Sequence, residues 1–481
     1  MSDSPQDRNP SGTELPRKLG LLSAIAVLVG STIGSAIFRS PAGIATKVPD
    51  EALYILIWVL GGFFAMCGAL TYAELSSALP RTGGVFVYLK EGFGRMPAFL
   101  FGWAELTIVR ASALGAIATV FAEYFLRLLG VAVRVPVQTA AGAVEQSAPA
   151  VHYVAAGAII VVATVNFVGI SFTALIQNMT AAAKYGALVI LVAAAFLIGG
   201  VNPAPAVAQA SPAAEPSVKL FGLALISVLW AYDGWADVTF VSGEVKRPER
   251  NLVRALIVGT GSVVLIYLLA NFAYLHLLDM KQIAGSALVA ADTAERIIGR
   301  PGVKLASMAV MISAFGTLNG SMMTGPRIFF AMADEGLFFK KIASVHPRFK
   351  TPYLAVWLAA ALAVGFVMVR SFEQLADTFV LGIWPFYAGG VAAVYTLRKK
   401  HPGLARAYRV PGYPVTPALF LLSAVFLLGN AMLTDFCNAW EWLRGRVSPA
   451  DTGSTLLVFG IILAGVPAFW LWEKIAKSGR A

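Results

Sequence analysis

About twelve stretches of this chain are apolar over bilayer-spanning lengths, and a helix needs roughly 20 such residues to cross the hydrocarbon core. They fall at 20–46, 53–78, 98–127, 151–171, 178–200, 219–242, 253–277, 303–331, 353–369, 376–397, 416–434 and 453–472. Only helices and closed barrels satisfy every backbone group in lipid, and segments this long and uniformly apolar are helical. The fold class is therefore an all-α integral membrane protein with twelve transmembrane helices. Composition agrees: 13% of residues are charged, against about 25% in a soluble chain, and the mean hydropathy is +0.73. Little is left over for a soluble domain.

Several function classes drop out on the same grounds. Two cysteines, Cys67 and Cys437, make no disulfide framework, and no His/Cys/Asp/Glu group has metal-ligand spacing, so no cofactor and no metal are expected. No nucleophile–base constellation appears, which argues against a membrane-embedded enzyme. The net charge of +11 does not imply nucleic acid, because the basic residues sit in short loops between spans. Arg81, Lys90 and Arg95, then Lys246, Arg247, Arg250 and Arg254, then Lys340, Lys341, Arg348 and Lys350, then Arg398, Lys399, Lys400, Arg406 and Arg409 fall on one side. They outnumber the basic residues of the other side by about two to one, which orients both termini to the cytoplasm of a cell membrane. Residues 1–19 lack the apolar core of a signal peptide and read as a disordered cytoplasmic tail. The Pro/Ala-rich segment 201–218 suits an outer linker.

Two of the spans carry interruptions. Span one, LLSAIAVLVGSTIGSAIF, holds Gly30, Ser31, Thr32, Gly34 and Ser35 at its middle; span six, LALISVLWAYDGWADVTF, holds Asp233 and Gly234. Glycine inside a helix costs about 1 kcal/mol relative to alanine. A single pair such as Gly30/Gly34 is equally the small-xxx-small pattern of close helix packing. The two interruptions lie five spans apart, however, and an odd number of spans per repeat inverts the second copy. That is the signature of a secondary transporter. An unwound span one exposes the N–H groups of Gly34, Ser35 and Ala36 to a carboxylate. An unwound span six exposes the carbonyls of Trp230 and Asp233 to an ammonium. Together they describe a site for an α-amino acid, with Asp233 open to a second reading as a buried structural acid.

The segments GSTIGSAIF, TYAELSSALPRTGGVFVYL, WAYDGWADVTFVSGEVKRPERNL and FGTLNGSMMTGPRIFFAMADEG resemble the amino acid–polyamine–organocation superfamily, in particular its L-type amino acid transporter branch. The resemblance implies a LeuT-type core of five-plus-five inverted helices over residues 20–398, with discontinuous helices one and six. Residues 399–481 then supply peripheral helices eleven and twelve and a short C-terminal tail. It implies a substrate carboxylate at Gly34, Ser35 and Ala36 and an ammonium at the carbonyls of Thr32, Trp230 and Asp233. The family often has glycine–serine–glycine where this chain has Gly34-Ser35-Ala36, so a methyl at Ala36 narrows the approach.

Lys184 stands about six residues into span five as drawn, roughly 9 Å of helix. It reads either as a lysine snorkelling to the interface or, by the resemblance, as a replacement for the cation that sodium-coupled relatives hold between helices one, five and eight. In the second reading its ammonium joins the backbone near Gly30 to a helix-eight hydroxyl, taken as Ser313, and transport is independent of sodium. Tyr267 of span seven matches a family tyrosine near the site, with its hydroxyl directed to helix one, to substrate, or to mere packing.

Other membrane-embedded charges have structural readings first. Arg39 and Arg110 lie at bundle surfaces or pair with acids such as Glu105 and Glu123. Glu74 with Arg81, and Glu244 with Arg250, read as latches at the cytoplasmic helix ends. The expected activity is exchange or facilitated uptake of small neutral amino acids, with proton-coupled symport and cationic amino acid or polyamine transport as alternatives on the same fold. Animal L-type carriers join a heavy chain through a cysteine after span three; residues 128–150 hold none, so no disulfide-linked heavy chain is expected.

Overall fold

A computed structural model describes residues 15–139, 142–200, 217–286, 288–444 and 455–477. Ten helices among them are long and apolar enough to cross a membrane, from Leu21–Lys47 to Thr455–Ala476. Two shorter apolar helices, Val218–Tyr232 and Tyr353–Val369, coincide with the sixth and ninth stretches. The all-helical expectation has one exception, an antiparallel hairpin of Arg134–Thr139 with Gly142–Ser147 between spans three and four. Val135, Val137 and Thr139 alternate along its first strand, the period-2 pattern of strands.

The molecule is apolar outside and polar within. Ile190, Val425 and Leu463 are exposed on its flanks, whereas Lys184, Glu105, Arg110, Glu244 and Arg327 are buried. Lipid solvates the first set and leaves the second to find partners inside the bundle, where charged groups in such chains serve a purpose. The first span packs against the seventh, fifth and eighth, and the sixth lies along the second half of the first, so the two interrupted spans occupy the centre.

Three boundaries differ from the sequence reading in ways that bear on function. Span four ends at Val168, because Gly169 takes a φ of 142° that turns the chain. Span five therefore begins at Ile170 rather than 178 and runs to Leu197. Lys184 thus lies fourteen residues into its helix, about 21 Å along it, at mid-span. Span eight is divided into Arg300–Thr324 and Pro326–Asp334, with proline at the first turn of the second piece.

The tail drawn over 1–19 is described only from Leu15, and there it is packed. Leu15 and Leu19 are buried, and Leu19 pairs in parallel with Val245, its N–H 2.9 Å from the Glu244 carbonyl and its carbonyl 2.9 Å or less from the Lys246 N–H at 2.8 Å. Most of the linker 201–218 lies outside the described residues.

Candidate functional site

The two interruptions touch. In span one the helix Leu21–Thr32 stops, Ile33 turns out of it at φ −75°, ψ 85°, and a second helix starts at Ala36. In span six the helix Val218–Tyr232 stops, Asp233 is extended, and Gly234 takes a φ of 105°. A Cβ at Gly234 would stand 2.7 Å from the backbone of Ser31 and Thr32. Glycine is therefore required there twice over: for its positive φ and for the close approach of the two backbones.

A cavity of about 50 Å³ lies between the breaks. Of the residues assigned to substrate, Thr32, Gly34, Ser35, Ala36, Trp230 and Asp233 line it. Tyr267 stands behind, its hydroxyl donating to the Thr32 carbonyl at 3.0 Å. Two expected contacts are already occupied. The Gly34 N–H turns back to the Thr32 carbonyl at 2.8 Å and is not free for a carboxylate. That carbonyl accepts from both Gly34 and Tyr267, which uses its two lone pairs and leaves none for an ammonium. The amides of Ser35 and Ala36, at the start of a helix where N–H groups have no intrahelical partner, are the donors that remain. Tyr232 and Trp235 are packed away from the cavity, Tyr232 against Trp58 and Trp235 against Tyr72 and Phe420.

Lys184 points into the first break. Its ammonium reaches the carbonyls of Gly30 at 2.8 Å, Ile33 at 2.6 Å and Ser313 at 3.0 Å, and the Thr317 hydroxyl at 2.9 Å. The helix-eight hydroxyl is thus Thr317, not Ser313; Ser313 offers its carbonyl to the lysine while its hydroxyl donates to Ile33 and Gly34. All four oxygens are uncharged. Two belong to the C-terminal end of the first half-helix, whose dipole favours a cation. Residue spacing alone did not distinguish Thr317 from Ser313, which stand one turn apart on the same helix face.

A second buried cation, Arg110, also lines the cavity, with Asp237 and Tyr387 beside it. Its guanidinium binds Glu105 through two nitrogens at 3.0 and 3.3 Å and the Ser321 hydroxyl at 2.9 Å. In an α-helix residues five apart point about 140° away from each other. Here Glu105–Val109 forms a π turn, whose wider winding turns both side chains the same way. The pairing of Arg110 with Glu105 was expected, but its position in the cavity wall was not. The signal available was an acid and a base five apart in an otherwise apolar span, without any sign of the π turn. Asp237 is held by the Thr324 hydroxyl at 2.9 Å, whereas Asp233 Oδ1 has no protein partner among the described residues.

The two ends of the bundle differ. At the end carrying Leu19, buried ion pairs close the path. Glu244 binds Arg327 at 2.8 and 3.2 Å rather than Arg250, and Glu74 binds Arg398 and Arg406 rather than Arg81. Arg81 is paired instead with Glu91 and Glu335. Each partner comes from a span distant in sequence, which neighbouring loop charges could not reveal. At the opposite end a chamber of about 650 Å³ opens above Ser35, Ala36 and Trp230, and there Arg39 meets Glu123 at 3.4 Å.

A helical membrane protein with two broken spans meeting at a small polar cavity is the class that this geometry defines. The chain belongs to the amino acid permease family, whose sequence model matches residues 19–466. It is 31% identical over 467 residues to the serine/threonine exchanger SteT of Bacillus subtilis (strain 168), covering 96% of this chain and 98% of that one. It is 29% identical over 438 residues to the human b(0,+)-type amino acid transporter 1, covering 91% and 87%. It is 28% identical over 474 residues to the human cystine/glutamate transporter, covering 97% and 89%. The family and these relatives are transporters, not enzymes, and amino acid transport across a membrane is the activity they share.

Proposed function

We propose that this chain moves small neutral α-amino acids across the cell membrane by alternating access, as an exchanger or facilitator that does not use sodium. The observation that carries this reading is the Lys184 ammonium, set among four uncharged oxygens where helices one, five and eight meet. A fixed charge there does the work of a bound cation and needs no ion gradient. The substrate carboxylate meets the amides of Ser35 and Ala36 with the Ser35 hydroxyl, and its ammonium meets the carbonyls of Trp230 and Asp233. Tyr267 ties the seventh span to the break at Thr32, so closure around substrate moves that span too.

We read the twelve apolar helices as twelve crossings, the first ten forming a LeuT-type five-plus-five inverted core. With the basic loops and both termini in the cytoplasm, the end latched by Glu244–Arg327 faces inward and the wide chamber faces out. The small inner cavity and the name of the bacterial relative, a serine/threonine exchanger, favour small side chains. Because Asp233 Oδ1 lines the cavity without a partner, a cationic amino acid or polyamine is the second reading. The chain acts without a disulfide-linked heavy chain.

Counterflow into proteoliposomes of the purified chain, tested across the amino acids, decides among these. Trans-stimulation by serine, threonine or alanine is the expected result. Preference for arginine or putrescine would establish the cationic reading, and accumulation driven by a pH gradient with no internal amino acid would establish proton symport instead.

A further inference from the structure

The wide chamber and the inner cavity are two compartments of one path. Both are lined by Ser35, Ala36 and Trp230, and the Trp230 ring meets Phe379 edge-on at 5.2 Å where they join. Their volumes, about 650 and about 50 Å³, assign different tasks to them. The larger lies within the range of about 300–1,000 Å³ typical of small-molecule sites.

Their charges differ as well. The inner cavity has one basic and two acidic side chains on its wall: Arg110, Asp233 and Asp237. The chamber has two of each: Arg39 and Arg127 against Glu123 and Asp377. A wall balanced in this way attracts neither a cation nor an anion as such, but it suits a molecule carrying both charges at a short fixed separation. The Arg39–Glu123 pair is itself of that form, joining the first and third spans at 3.4 Å with Arg39 a quarter exposed. A half-exposed pair of this kind contributes only about 0–1 kcal/mol to stability, so little is lost when a ligand takes its place.

We propose that the chamber is a second binding station for a zwitterionic amino acid, met before the inner site. The inference rests on the amino acid reading given above. The ligand carboxylate takes Arg127 and Arg39, and its ammonium takes Glu123 and Asp377. The aromatic neck of Trp230 and Phe379 then separates a waiting molecule from the one being carried. The side chain of the waiting molecule faces open space, so this station selects for the α-amino and α-carboxylate groups and leaves side-chain choice to the inner cavity.

The test uses the full-length purified chain, dialysed to equilibrium against an equimolar mixture of the twenty standard amino acids, with bound amino acid counted by amino acid analysis. Two molecules per chain are expected. Arg127→Ala, at an exposed position, reduces this to one; Ala113→Phe, which fills only the inner cavity, also leaves one; the double variant leaves none. In transport, Arg127→Ala raises KM from the chamber side about tenfold, the effect of losing one charged contact, with kcat and the KM from the other side unchanged. A wild-type count of one together with an unaltered KM in Arg127→Ala overturns the second station and leaves the transport reading intact. A count of zero in the wild type overturns both.

Discussion

Two cations are buried within reach of the broken first span, and they are satisfied in unlike ways. Lys184 has four uncharged oxygens and no acid. Arg110 has the Glu105 carboxylate on two of its nitrogens and a serine on a third. Guanidinium matches a carboxylate two bonds at a time, and the result is a locked pair that holds the third span's π turn in shape. An ammonium is a compact charge with three donors, and four oxygens from helices one and eight converge on it as they would on a metal ion. The pair closes its own charge account; the lysine leaves its charge to the backbone carbonyls of a helix that must move. The difference separates a structural brace from a group coupled to transport.

If that contrast holds, Lys184→Met has the largest effect. It leaves the Gly30 and Ile33 carbonyls without their donor, and losing a buried charge-assisted network costs about 3–5 kcal/mol, enough to lower counterflow by roughly a hundredfold or more. No second substitution nearby restores it, since no acid is left stranded. Melting in detergent, followed alongside transport, separates lost folding from lost turnover.

The Arg110 side of the comparison behaves otherwise. Glu105→Gln strands a buried guanidinium and lowers the melting temperature, again by the equivalent of about 3–5 kcal/mol. Glu105→Gln combined with Arg110→Gln removes both charges and recovers most of that stability. A double variant no more stable than the single would break the comparison.

Gly234→Ala probes the contact between the breaks. Its methyl would meet Ser31 and Thr32 at 2.7 Å in a backbone at φ 105°, so spans one and six must separate. Strain of this kind is worth about 1–3 kcal/mol, and transport falls by roughly ten- to a hundredfold. The smallest effect is that of Tyr267→Phe, which removes one neutral hydrogen bond to Thr32, about 1 kcal/mol, and slows counterflow about fivefold. An unchanged rate would reduce Tyr267 to packing.

The apolar spans and both glycine-marked breaks were legible because each depends on residue type along a single segment. Asp233, Gly234, Ser35 and Ala36 therefore stand where the pattern put them, on the wall of one cavity. What was not legible depends on register between segments. The start of span five was drawn eight residues late, because NMT and GIS within it are polar enough to resemble a loop, and so Lys184 looked close to an interface. Thr317 and Ser313 occupy one helix face, and only the seating of helix eight against helix one decides which hydroxyl the lysine reaches. Arg110 was assigned no place at the site, since a π turn leaves no mark in residue spacing. The latches failed for the same reason: Glu244 and Glu74 find their arginines more than eighty residues away, on spans eight and ten and the loop that follows.

The central claim is that Lys184 supplies a fixed positive charge where a sodium ion would otherwise be needed. Its most direct test is the initial rate of serine counterflow into proteoliposomes of the wild-type chain, with all sodium replaced by choline on both sides. Equal rates in the two salts are predicted. A rate that collapses in choline and returns with added sodium would contradict the account.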